Sequence, residues 1–136
     1  MVTQTLYEES RVVKARLRAW VLKRLASDLK MDTTTLIDHL AIPRSTFHRK
    51  YRDAELLSVP ESERVLGVAK LVGQVKAMLA NNEDAADFDA AAWVGAWLEE
   101  PLPAIGNERP IDLMDTAAGQ ELVSKLLLQA QTGTYA

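Results

Sequence analysis

An all-α fold is what the sequence predicts, and three observations carry the prediction. Apolar residues recur at spacings of three and four through successive stretches, the period that lines one face of a helix. No run alternates apolar and polar residues as a half-buried strand does. Residues that cap helices stand just ahead of the apolar stretches, and Pro and Gly fall between them. The expected architecture is a helix-turn-helix part over residues 1–57 packed with a small helical part over residues 58–136.

The first stretch, about Leu6 to Leu29, reads as one helix with a stripe of Val13, Leu17, Trp20, Val21 and Leu25, since no Gly or Pro interrupts it. Its outward residues include Arg11, Lys14 and Arg18 on one line and Arg16 and Lys23 on another. The next stretch, Met31 to Arg52, reads as a helical hairpin. Asp32 or Thr33 caps its first helix, in which Leu36, Ile37 and Leu40 share a face. Ala41 and Ile42 make the turn, Pro43 pre-sets the first turn of the second helix, and Phe47 and Tyr51 give that helix an inward face. Ser58 and Glu61 form a capping box for a helix running to about Ala80, with Val65, Val68, Ala69, Val72, Val75 and Leu79 on one face and Leu71 and Met78 off it. Gly67 and Gly73 inside that helix suggest close approach of a neighbour, since each costs about 1 kcal/mol against Ala. Asp87 caps a helix over Phe88 to Leu98 carrying Ala90, Trp93 and Trp97. After Pro101, Pro103 and Gly106, Pro110 restarts a turn through Met114. Asp115 or Thr116 then caps a last helix with Leu122, Val123, Leu126, Leu127 and Ala130 on its apolar side.

The hairpin points to a first function. Ala41, Ile42 and Phe47 match the small, aliphatic and large apolar positions of a helix-turn-helix. Its outward residues, Arg44, Ser45, Thr46, His48, Arg49 and Arg52, are the types that reach phosphates and base edges. Such units read DNA as symmetric dimers, so a homodimer is expected. A plain transcription regulator, whose acidic half only dimerises, is the alternative.

The formal charge of −3 conceals an uneven distribution. Residues 11–52 hold eleven Lys or Arg against three Asp, a net +8, and residues 53–136 hold five basic against fourteen acidic residues, a net −9. The basic part suits a polyanion and the acidic part a basic partner. Absence of Cys, of a signal peptide and of a membrane-length apolar run makes a soluble cytoplasmic protein the expectation. Catalytic constellations are lacking: His39 and His48 have no ligand cluster at metal spacing, the six glycines are scattered, and no acid orients a Ser45–His48 pair. No enzyme, cofactor, metal or small-molecule substrate is expected.

A resemblance sharpens this reading. The series Trp97-Leu98-x-x-Pro101, Pro103-Ala104-Ile105-Gly106, Pro110-Ile111-Asp112-Leu113-Met114, Thr116-x-x-Gly119, Val123 and Gly133-x-Tyr135-Ala136 resembles the toxin-binding domain of the Xre/MbcA/ParS antitoxins. The run Ile42 to His48 is similar to the Xre-type hairpin of the same proteins. The likeness covers roughly residues 30–136. Asn107 stands where a second Gly is common, Ala41 replaces the usual turn Gly, and the segment from Asn81 to Asp87 is longer than the family's. The resemblance implies a type II antitoxin that binds and blocks a RES-domain toxin, an enzyme that consumes NAD or uses it to modify a target. It places Gly133, Thr134, Tyr135 and Ala136 at the toxin, with Gly106 and Arg109 as secondary contacts, and it implies operator binding by the hairpin.

Overall fold

The computed structural model describes residues 2–132, with side chains over 5–130. Within that span lie seven α-helices: α1 Val2–Ala15, α2 Ala19–Asp28, α3 Thr33–His39, α4 Arg44–Arg52, α5 Val59–Met78, α6 Ala90–Leu98 and α7 Ala117–Thr132. Short 3-10 turns at Glu83–Ala85, Pro103–Ile105 and Pro110–Leu113 join the later ones. Extended pairing among the described residues is confined to the isolated bridges Arg18–Leu56 and Leu102–Glu108. The all-α class is therefore as expected.

The expected single helix from Leu6 to Leu29 is broken. Arg16 adopts a left-handed φ of 66°, and the next two residues lie against the chain that leads into α5. Arg16 Nε donates to the Leu57 carbonyl at 2.8 Å, the Leu57 N–H donates to the Leu17 carbonyl at 2.7 Å, and the Leu17 N–H donates to the buried Ser62 hydroxyl at 2.9 Å. The restart at Ala19 makes Ala19, Leu22, Ala26 and Leu29 the buried face of α2. Trp20, placed on the core stripe by periodicity, is 57% exposed.

α3 and α4 form the hairpin. The Asp32 carboxylate accepts from the Thr34 N–H at 3.1 Å, the side-chain cap expected there. α3 ends in a Schellman motif: Ile42 N–H donates to the Ile37 carbonyl and Ala41 N–H to that of Asp38, with Ala41 left-handed at φ 57°. Pro43 is extended and stands just outside α4 as its N-cap, so Arg44 is the first helical residue. Phe47 is buried, whereas Tyr51 is 42% exposed, its ring stacked on Phe47 and covered by the Lys23 ammonium at 4.6 Å. The expected inward face of α4 is thus one aromatic wide.

α5 is the helix on which α1, α6 and α7 pack. Its capping box is present as read: Glu61 N–H donates to the Ser58 hydroxyl and Ser58 N–H to the Glu61 carboxylate. Burial of Leu71 beside Val65, Val68, Val72 and Val75 gives it two covered sides. A Cβ at Gly67 would strike the Gln120 amide from α7, but nothing lies within 4 Å of one at Gly73, so the expected close approach holds only at the former. α6 begins at Ala90 under an Asp89 cap, not at Phe88 under Asp87, because Phe88 still closes the preceding turn onto the Ala85 carbonyl. Thr116 caps α7 by accepting from the Gly119 N–H, and Val123, Leu126 and Leu127 are buried while Leu122 faces outward.

Buried side chains from α2 through α7 and the turns between them form one apolar cluster, which includes Leu22, Ile37, Phe47, Val68, Val94, Ile111 and Leu127. The hairpin and the C-terminal helices therefore share a core.

Candidate nucleic-acid and protein interfaces

α4 carries the hairpin's outward side chains. Ser45, His48, Arg49 and Arg52 are exposed with Arg44, and Thr46 is half-buried. All six residues expected there lie on α4, but the three arginines already have acidic partners. Arg44 makes a two-point pair with Asp38 of α3, at 3.0 and 2.6 Å. Arg49 meets Glu55 at 3.0 Å and Arg52 meets Asp53 at 3.0 Å. Hydrogen bonding from Arg44 holds the Asp38 carboxyl below the ordinary carboxylate range, and Arg52 does the same to Asp53. These pairs are at the surface, where water and salt screen an ion pair, so a phosphate can compete for each guanidinium.

One pair on α4 has a different character. Lys50 Nζ and the Glu61 carboxylate are 2.8 Å apart with each side chain only 12% exposed, and this ties α4 to the start of α5. Burial pushes the Glu61 carboxyl up, but the bonds from Lys50 and from Ser58 outweigh it and leave the group lowered. Outward arginines of the first stretch are likewise engaged: Arg16 donates to Leu56 and Leu57, and Arg18 Nη1 donates to the Ala54 carbonyl at 3.0 Å. Those two hold backbone carbonyls of their own chain, which fixes the connector between α4 and α5.

The C-terminal motifs converge beside the hairpin. Leu102 and Glu108 pair across a loop whose apex holds Gly106 at φ 69° and Asn107 at φ 66°. Two successive left-handed residues suit glycine, and Asn is among the side chains that best tolerate that region. Arg109 follows the loop and points back to α3. His39 Nδ1 lies 2.8 Å from the Thr35 carbonyl, and because a carbonyl only accepts, Nδ1 carries the proton. In the neutral ring Nε2 then accepts from Arg109 Nη2 at 3.2 Å, while the Asp112 carboxylate stands 3.1 Å from the same nitrogen. This contact, from the last residue of α3 to the expected toxin-binding segment, was not foreseen, because the two lie 70 residues apart.

Gly106 and Arg109 of the expected protein-binding set are thus brought to one surface loop. Gly133, Thr134, Tyr135 and Ala136 lie outside the described residues. Among the described residues no group of three or more His, Asp and Glu is placed to hold a metal, and no helix is long and apolar enough to cross a membrane.

A helical hairpin of helix-turn-helix form shares one core with a motif-bearing helical part. Comparison with known proteins makes the class specific. Residues 8–70 match the antitoxin Xre-like helix-turn-helix domain, and residues 78–133 match the antitoxin Xre/MbcA/ParS C-terminal toxin-binding domain. A relative from Sphingobium sp. (strain YBL2), named Prs ADP-ribosylating antitoxin, is 42% identical over 125 residues, spanning 92% of this chain and 79% of that protein. The chain belongs to the Xre/MbcA/ParS antitoxin family. With that membership it is a toxin-binding protein with a helix-turn-helix, and not an enzyme.

Proposed function

We infer that this antitoxin neutralises a RES-domain toxin by placing its C-terminal end in the toxin's active-site cleft, and that its hairpin binds operator DNA to repress its own operon. The observation that carries the reading is the toxin-binding match over 78–133, which runs up to Gly133, the start of the tail. The relative's name supports an NAD-using partner, since ADP-ribosylation draws its ADP-ribose from NAD. In this reading Gly133, Thr134, Tyr135 and Ala136 fill the cleft, with Tyr135 as an aromatic anchor, and the loop at Gly106 and Arg109 makes the flanking contact. Acidic residues over 53–136 suit a cleft built to receive dinucleotide phosphates. The assembly is a homodimer, as two half-sites on DNA require, divided into a reading part over 1–57 and a toxin-binding part over 58–136, and it works in the cytoplasm.

Removal of Thr134–Ala136 tests the reading. In cells carrying the toxin encoded beside it, the intact chain restores growth and the shortened chain, at equal abundance and helicity, does not. Full protection by the shortened chain would contradict the tail mechanism.

A further inference from the structure

At the end of α5, the chain exposes an apolar groove that no sequence motif marks. Val75, Met78 and Leu79 of α5, Ala85 and Phe88 of the connector and Trp93 of α6 line a depression of about 290 Å³. Met78 is 40% and Phe88 45% exposed. Trp93, half-buried, is stacked on buried Trp97 with ring planes 9° apart, so one wall is rigid. An aromatic and a methionine side by side at the surface, backed by the stacked indoles, form an apolar seat of the size of one partner side chain.

The rim is acidic in a way the hairpin is not. Glu83, Asp84, Asp87 and Asp89 are all exposed around the connector. No Lys or Arg among the described residues lies within ion-pair distance of any of the four, whereas Asp38, Asp53, Glu55 and Glu61 of the hairpin side are each paired. Lys76 faces the adjoining surface. Acids without a cation around an apolar floor call for a partner of opposite charge. A second copy closing about a two-fold axis would bring the same acidic rim to the contact, which makes a basic partner the better fit.

We propose that the Met78–Phe88–Trp93 groove is a second docking surface for the toxin, receiving an apolar side chain that the toxin presents between lysines or arginines. The proposal rests on the toxin-binding reading above and adds a site far from the tail in sequence. The groove lies at the start of the toxin-binding match.

Calorimetric titration of the full chain against the RES-domain toxin from the neighbouring gene tests it. Phe88→Ala and the pair Asp84→Lys with Asp87→Lys each weaken binding tenfold or more, and the charge reversal also flattens its salt dependence. Trp20→Ala, at an exposed tryptophan on α2 outside the toxin-binding part, leaves affinity unchanged and controls for surface truncation. All of these positions are exposed, and unchanged circular dichroism verifies the fold. If the wild-type chain binds and both groove variants bind equally well, the groove is not a docking site and the toxin-binding reading stands. If the wild-type chain does not bind, both fall together.

Discussion

Arg44 and Asp38 hold each other across the turn of the hairpin at 2.6 Å, and similar pairs occupy Arg49 and Arg52. A face that carries +3 from its arginines is thereby locally neutral until a stronger anion arrives, and under the proposed operator binding phosphates would displace these acids. Replacing Arg44 and Arg49 together by Ala weakens operator binding and flattens its log–log salt slope by about two, near one unit for each phosphate left without its guanidinium. Fluorescence anisotropy at several salt concentrations measures this, and unchanged affinity would remove both residues from the interface. The outward arginines were legible because helical period alone sorts one side of a short helix from the other. Their acidic partners were not: Asp38 sits in the preceding helix and Glu55 beyond the following cap, and only the closed turn brings them round.

Helix ends are where local rules succeeded and failed most clearly. Ser58 and Glu61 were legible because both halves of a capping box lie within four residues. The ends of α2, α3 and α4 were harder, since each closes a Schellman motif on a left-handed residue that is not glycine: Lys30, Ala41 and Ala54. Arg16 was harder still, because its left-handed turn is held by Leu57 and Ser62, more than forty residues ahead. Opposite substitutions therefore have the same sign of effect. Gly73→Ala, with open space around the new methyl, raises stability by about 1 kcal/mol. Ala41→Gly relieves left-handed strain for a gain of up to about 1 kcal/mol. Gly95→Ala puts a Cβ 2.0 Å from the Leu29 carbonyl and lowers stability by about 1–3 kcal/mol or more. Urea denaturation ranks all three, and a Gly95→Ala chain as stable as wild type would mean that α6 does not meet the end of α2 there.

Across the whole molecule, among the described residues, the hairpin and the toxin-binding part are joined by one apolar cluster and by polar ties from Lys50 to Glu61, from Arg64 to the Leu40 carbonyl, and from Arg109 to His39. Helical class and the order of the motifs were legible in the sequence, because period and capping are local. The seam and the groove beside Phe88 were not, because each assembles side chains from separate elements, and the connector around Phe88 shows no periodicity. Family membership makes the chain an antitoxin, and the mode of action proposed for it is occupation of a RES toxin's active site. Turnover of NAD by that toxin, titrated with the intact chain, is the decisive measurement. Activity should fall in proportion to added antitoxin and vanish at a fixed stoichiometric ratio, whereas a toxin still turning over NAD at full rate when saturated with bound antitoxin would contradict active-site occupation.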